Sequence, residues 1–346
     1  MRQLYILGKM LKRITTSLLM FAMLGTATIL GGCQSSVSRY KTIDSYALGT
    51  FVQMTCLTDT PTAELTRLIA EIDQEAKASM SIFDESSLLS RINRNETDSL
   101  DKHIHFNLEL SGRYNKLSDG AYDVTVKPLT SAWGFAEKNK ATKNPNIDSL
   151  LEFVGFDKIS INGERLHKSD SRTQLDFNSI AKGYVVDLIA ERLEQMDIES
   201  YMVNIGGEIR CKGYNPRGGD WTIGIETPYE GNFEQNAVEK VIALSDCGVA
   251  TSGNYRRYHT TENGDKIVHT INPKTGYSVI SSLLSATVIA PTCAEADAAA
   301  TMFMAMGSES EALELAKRCE SEYGWRYYFI YADNEGYRIE ASESLK

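Results

Sequence analysis

Residues 293–307, CAEADAAATMFMAMG, decide how the rest of the chain is read. Ala and Met dominate, neither Pro nor an internal Gly interrupts, and Gly307 stands where a helix stops, so the stretch predicts one helix over 293–306. Asp297 and Thr301 lie four residues apart and share one helical face, their oxygens one turn from each other. A carboxylate and a hydroxyl so placed are hard-oxygen ligands suited to Mg²⁺, which keeps its other positions for water and phosphate. Ala294, Ala296, Ala298, Ala299 and Ala300 are small enough to let a bulky ligand or another backbone come close. The same composition also suits a buried Ala-rich helix whose Asp and Thr satisfy backbone groups. The stretch alone does not choose between these readings.

Downstream, Ser308-x-x-Glu311 forms a capping box for a following helix, and strands are predicted near 326–331 and 336–340. Upstream, strands are predicted at 201–205, 209–214, 221–226, 239–244, 267–271 and 284–290. A helix over 179–196 carries Ala181, Val185, Leu188, Ile189 and Leu193 on its apolar side. Further back, 46–57 alternates as one strand with Gly49-Thr50 inside it. Residues 64–80 and 106–117 have helical spacing, and 81–93 is mixed. Residues 120–135, GAYDVTVKPLTSAWGF, are unusually rich in Gly, Pro and aromatics for a connector, and 137–149 reads as a polar surface excursion. A short helix from Ile147 and strands near 158–162 and 172–177 follow. Strands mixed with helices and joined by short turns predict an α+β fold.

The first 32 residues differ from the rest. Arg2, Lys9, Lys12 and Arg13 form a basic region without an acidic residue, an apolar run follows over 14–30, and Leu30-Gly31-Gly32-Cys33 closes it. This predicts a secretory signal peptide over 1–32 ending in a lipobox, with Cys33 as the lipidated N-terminus. The alternative is a plain signal peptide with an incidental Cys. Residues 33–44 are then a lipidated tether and 45–346 the folded domain, in the cell envelope outside the cytoplasm, membrane-held by its lipid. A start at Met10 leaves the leader intact.

The chain is 42% hydrophobic and 24% charged, as a soluble globular protein is. Its formal charge is −10, and losing the four leader cations takes the mature chain to about −14. Such a surface repels nucleic acid and leaves an anionic substrate to local cations, either a metal or a specific Lys. After lipidation five cysteines remain, Cys56, Cys211, Cys247, Cys293 and Cys319. The number is odd and no CxxC occurs, so neither a zinc site nor a full disulfide framework is indicated, and at least one thiol stays free.

Other candidates for chemistry sit at strand ends. In DFNSIAKGYVVD, residues 176–187, Asn178 or Ser179 is placed to cap a helix, and Lys182 falls in its first turn, where a cation needs an anionic partner. Gly206-Gly207 and Ser252-Gly253 follow apolar strands, where a backbone can approach a ligand. Neither is a GxGxxG or Walker motif, so no Rossmann or P-loop nucleotide site is indicated. His269 precedes an Asn-Pro-x-Thr-Gly turn, and Phe83 and Tyr122 are aromatics equally suited to core or stacking.

Taken together these segments resemble the ApbE family, flavin transferases that move FMN from FAD onto a protein hydroxyl. The matching motifs run in order over nearly all of the mature chain: LGT at 48–50, SIFDESSLLSRIN at 81–93, DGAYDVTVKPL with WGF, DFNSIAKGYVVD, VNIGGEI, ATSGNYRRY, HTINPKTG and EADAAAT. The resemblance implies an α+β fold, mixed sheets with packed helices around a central FAD cleft, and Mg²⁺ on the pyrophosphate. It implies metal ligands at Asp297, Thr301 and the backbone carbonyl of Ser179. Flavin contacts fall on Leu48, Phe83, Gly120, Ala121, Tyr122, Asp176, Lys182 and the backbone of Ile271, and His269 matches the family's proposed catalytic histidine. Leu48, Phe83, Asn178-Ser179 and Asn272 stand where Met, Tyr, Gly-Ala and Asp are frequent, and Asn272 bears on the turn that sets His269. The activity implied is Mg-dependent transfer of FMN from FAD to a Thr or Ser hydroxyl with release of AMP. Partners are FAD and acceptor flavoprotein subunits such as those of redox-driven membrane complexes. Water in place of the acceptor gives a pyrophosphatase making FMN and AMP, and a flavin-binding lipoprotein without turnover is a third reading.

Overall fold

The alternation over 46–57 predicts one strand, yet the chain folds back on itself there. Leu48 and Gly49 take positive φ, 51° and 75°. They close a hairpin between β1 (Arg39–Ala47) and β2 (Thr50–Thr58), paired from Ala47↔Thr50 to Arg39↔Thr58. A two-residue turn with positive φ matches the twist of its strands. Leu seldom occupies that region, and here its N–H is held by Asp73 Oδ1 at 2.7 Å. Residues 39–44, expected as tether, belong to β1, because Ile43 and Ala47 alternate into the core. The structure, a computed structural model, describes residues 39–136, 145–228, 238–254, 258–260, 266–334 and 336–346. The leader, Cys33, the rest of the tether and part of the 137–149 excursion lie outside them.

After the hairpin come α1 (Thr62–Met80), α2 (Leu88–Asn93), α3 (Lys102–Leu117), α4 (Lys127–Ala132), α5 (Ile147–Leu151), β3 (Ile159–Asn162), β4 (Arg165–Lys168) and α6 (Ala181–Gln195). The second half holds β5 (Tyr201–Ile205), β6 (Glu208–Lys212), β7 (Trp221–Glu226), β8 (Val238–Leu244), β9 (Cys247–Gly253), β10 (Tyr258–Thr260), β11 (Lys266–Val268) and β12 (Leu283–Ala290). It closes with α7 (Cys293–Met306), α8 (Glu309–Tyr323), β13 (Arg326–Asp333) and β14 (Gly336–Ala341). Eight strands form the main sheet in the order β1-β2-β5-β6-β9-β12-β13-β14, each ladder antiparallel, giving the α+β architecture.

The strand period of two sends alternate residues to opposite faces. Val203, Ile205, Ala286 and Val288 pack into the helix layer with Leu65, Ile69, Val185, Ile189, Met302 and Phe303. Ile209, Cys211, Val249, Ile289 and Ile330 face the other way, against Trp221, Ile223 and Ile225 of β7 and Ile242 and Leu244 of β8. Each aliphatic side chain so buried contributes roughly 1.5–3 kcal/mol. A third cluster, Leu129, Ile147, Val154 and Ile271, seats α4 and α5 beside the 269–279 loop. α7 reaches the sheet through Gly248, where a Cβ would stand 2.3 Å from the Cys293 nitrogen.

Two local expectations are corrected. Residues 172–177 form no strand: Asn93 takes the Leu175 backbone instead, donating to its carbonyl at 2.9 Å and accepting its N–H at 2.7 Å. Neither Asn178 nor Ser179 caps α6. The N-cap is Ile180, without a side-chain bond, and Asp176 Oδ1 takes the Asn178 N–H at 2.8 Å, turning the chain one residue earlier.

Candidate active site

The site is built where α6 crosses α7. Thr292 caps α7 by accepting from Glu295 N. Asp187 of α6 adds a second cap from outside, its two oxygens accepting the N–H groups of Cys293 and Ala294 at 2.9 and 2.7 Å. A carboxylate there satisfies orphan donors and suits the helix dipole. Arg210 of β6 lies 3.3 Å from Asp187 and donates to the Pro291 carbonyl at 2.7 Å. Burial nonetheless pushes the Asp187 carboxyl up to about 6. One turn earlier on α6, Gly183 donates its N–H to Asp297 Oδ2 at 2.9 Å. The two helices are thus fixed along each other's axes by two carboxylate–backbone contacts.

That register gathers oxygen atoms. Thr301 Oγ1 lies 3.5 Å from the Ser179 carbonyl, and 3.1 Å from Ser252 Oγ of β9. Tyr122 OH meets Ser179 Oγ at 2.9 Å, tying the 120–135 segment to the same turn. Asp297 is buried, and that burial, with Glu208 nearby, raises its carboxyl to about 7 against the pull of Lys182 and the Gly183 N–H. Lys182 pairs with Glu208. Burial opposes its charge, but Asp297 and Glu208 outweigh that and hold its pKa above the usual lysine value. The lysine in the first helical turn therefore has the anionic partner it needs.

Ser179, Lys182, Ser252, Asp297 and Thr301 line a cavity of about 580 Å³, within the range of small-molecule sites. Strands and their turns contribute Phe51, Asn204, Gly206, Gly207, Glu208, Thr251 and Gly253, with Gly224 and Glu226 from β7. Ala121, Tyr122, Val126, Thr130 and Asp176 also line it, as do His269, Thr270, Ile271 and Pro273 of the loop after β11. Asp176 accepts from Thr130 Oγ1 at 3.4 Å, and burial raises its carboxyl. Around the histidine, Thr270 donates to Asn254 Oδ1 at 2.7 Å, and the Phe135 ring stands edge-on to the imidazole with centroids 6.4 Å apart.

A model of the ApbE family matches residues 48–325. The chain belongs to the ApbE family. The Haemophilus influenzae protein named FAD:protein FMN transferase is 36% identical over 357 residues, covering 97% of this chain and 98% of that relative. Among solved structures, the flavin transferase ApbE from Vibrio cholerae aligns with a TM-score of 0.77 at 30% identity, over 89% of this chain and 98% of its own. The apo flavinyl transferase ApbE of Pseudomonas stutzeri gives a TM-score of 0.78 at 28% identity, over 89% and 96%.

Against this ApbE frame, the structure brings Ala121, Tyr122, Asp176, Ser179, Lys182, His269, Ile271, Asp297 and Thr301 together around the cavity. Three expected flavin contacts are not in its lining. Leu48 is in the β1–β2 turn, packed against the core, Phe83 is 65% exposed, and Gly120 precedes the lining at φ 81°. Asn272 proves apt for its turn. It accepts the Lys274 N–H at 2.8 Å, and its amide donates to the Ala305 carbonyl of α7 at 3.3 Å, a bond Asp could not make. Sequence reading missed Glu208, the anionic partner of Lys182, although it directly follows the Gly206-Gly207 pair singled out there.

The donor set fits a hard divalent cation. No three His, Cys, Asp or Glu side chains cluster as a metal site among the described residues. One carboxylate with a hydroxyl and a main-chain carbonyl is instead the sparse oxygen set of an ion that keeps water and phosphate ligands. Asp297, ionised with difficulty in its buried setting, is the group such a cation would favour.

Proposed function

We propose that this chain moves the FMN portion of FAD onto a Ser or Thr hydroxyl of an acceptor protein and releases AMP. The observation that carries the reading is the convergence of Asp297, Thr301, the Ser179 carbonyl and Lys182 on one cavity of an ApbE fold. Asp297, Thr301 and Ser179 would hold Mg²⁺, which, when bound, would neutralise pyrophosphate charge and polarise the phosphorus. Lys182 offsets further phosphate charge, necessary in a chain of net charge −10. Glu208 keeps that lysine extended into the cavity. Gly206 and Gly207, free of side chains, let a bulky ligand lie against the β5–β6 turn. Tyr122 holds the Ser179 turn in place through its hydroxyl. His269, in the cavity lining, is the base that takes the acceptor's hydroxyl proton as its oxygen attacks phosphorus in line and AMP leaves.

The acceptors we envisage are flavoprotein subunits of redox-driven membrane complexes, reached from the envelope face. The leader over 1–32, the lipobox Cys33 and the short tether support that location. No helix among the described residues is long and apolar enough to cross a membrane, so the lipid is the anchor we assign. The test is incubation with FAD, Mg²⁺ and a candidate acceptor domain, followed by mass spectrometry of the acceptor and quantitation of AMP. An acceptor gaining one FMN for each AMP released is expected. An unmodified acceptor and no AMP would overturn the reading.

A further inference from the structure

Cys211 and Cys247 are directly facing residues of β6 and β9. Facing residues of antiparallel strands put their side chains on the same face. Their Cα atoms lie about 4.5 or 5.5 Å apart according to the hydrogen-bonding class of the pair, and a disulfide needs about 4.4–6.8 Å. The strand pairing therefore meets the Cα requirement for a bond. Both thiols are buried, 0% and 6% exposed, and Cys211 Sγ lies 3.8 Å from the Cys247 carbonyl oxygen and 3.7 Å from that of Leu244. The other thiols have no such mate: Cys56 faces Lys41 and Tyr201 across its ladders, Cys293 opens α7, and Cys319 lies in α8.

The pair also has a location that gives a bond consequence. The chain leaves the main sheet after Lys212, contributes β7 and β8 to a separate two-stranded sheet, and rejoins the main sheet at Cys247, so Cys211 and Cys247 stand at the two feet of that excursion. The feet are already drawn together. Ser245 Oγ donates to the Gly213 carbonyl at 2.6 Å, and Trp221 Nε1 to the Lys212 carbonyl at 3.0 Å. β7 supplies Gly224 and Glu226 to the active-site cavity, so a covalent link at the feet would fasten one wall of the site to the sheet.

We propose that Cys211 and Cys247 form a cross-strand disulfide that staples the β7–β8 excursion to the main sheet when the chain meets a disulfide oxidant. One thiol, as its thiolate, attacks a sulfur of the oxidant, forming a mixed disulfide and expelling one oxidant thiolate, which takes up the proton. The second thiol loses its proton and attacks the mixed disulfide, forming the Cys211–Cys247 bond and expelling the second oxidant thiol. The two cysteines lose two electrons and two protons and the oxidant disulfide gains both. Burial of the finished pair places the exchange in folding, before the strands close. Its occurrence in the cell rests on the envelope location proposed above, since cytosolic thiols are kept reduced.

The purified full chain is unfolded with reductant, refolded with oxidised and reduced glutathione, quenched with acid, then alkylated in denaturant and digested. We expect one cross-linked peptide pair joining Cys211 to Cys247, with Cys56, Cys293 and Cys319 alkylated. Reduction should lower the melting temperature on the order of 5 °C, and a Cys211→Ser, Cys247→Ser variant should not respond. Alkylation of both cysteines, a different pairing, or an unchanged reductant response in the variant would each overturn the proposal. FMN transfer in the same samples reads the catalytic assignment separately. The intact mass of protein taken from cells reads leader removal, so failure of either leaves a different signature.

Discussion

Gly183 donates its backbone N–H to Asp297 across 2.9 Å, and it can do so only because it has no side chain. A Cβ there would stand 2.4 Å from the Cys293 carbonyl oxygen and 2.8 Å from the Asp297 Cβ. Gly183→Ala must therefore push α7 away from α6, separating Asp297 and Thr301 from the Ser179 carbonyl. Overpacking of this kind costs about 1–3 kcal/mol. A fall in melting temperature together with loss of Mg-dependent FMN transfer is expected from thermal denaturation and the transfer assay. Wild-type values in both would show that the helix contact does not set the site.

Asp297→Asn should abolish FMN transfer and leave the fold intact, and its pH behaviour identifies the cause. Burial raises the Asp297 carboxyl from 3.8 to about 7. Between those values the native chain holds a proton that the unfolded chain has released. The stability tied to this group is thus fully present below about pH 4 and lost as pH rises through about 7. A cation favouring the ionised form offsets that loss. Mg²⁺ should accordingly raise the melting temperature more at about pH 8 than at about pH 6, and Asp297→Asn should remove the difference. Thr301→Val, which deletes one neutral oxygen at similar volume, should weaken the same response without abolishing it. An equal Mg²⁺ effect in wild type and Asp297→Asn would take the carboxylate out of the metal site.

Much of this arrangement was legible because it rests on local rules. The 293–307 helix follows from Ala and Met content and from a stop at Gly307, whose φ is 75°; its Asp297–Thr301 face follows from helical periodicity. What escaped was set by contacts distant in sequence. Asn93 claims the Leu175 backbone from 82 positions away, converting an expected strand into a loop. Asp73 secures Leu48 at a positive φ that its side chain disfavours, hiding a hairpin inside an alternating stretch. Glu208 became meaningful only when strand pairing brought β6 beside the first turn of α6. The Asp187 contact with the start of α7 spans 106 positions and has no local signature.

Replacing residues 1–33 by a cleavable signal peptide without a lipobox Cys should release the protein from membranes into the soluble envelope fraction, because acyl chains on Cys33 are the proposed anchor. Among the described residues no helix is long and apolar enough to cross a membrane. Fractionation with immunodetection reads the outcome. Retention of the variant on membranes through a high-salt wash would show that another element holds it.

The proposed base, His269, offers the test that separates transfer from hydrolysis. It directly follows β11 and lines the cavity, with the Phe135 ring edge-on to its imidazole. An imidazole suits proton removal from a Ser or Thr hydroxyl near neutral pH. His269→Asn should lower FMN transfer by roughly 10²-fold or more, the usual scale for a lost general base, while FAD binding, followed by flavin fluorescence, stays near wild type. AMP formation should be measured with and without an acceptor domain in both proteins. A transferase releases AMP mainly when acceptor is present, and the His269 variant should lose that acceptor-dependent part. AMP release equally fast without acceptor would favour hydrolysis as the main reaction. Undiminished transfer in the variant would remove His269 from the mechanism, leaving positioning by Lys182, Asp297 and Thr301 to carry the step.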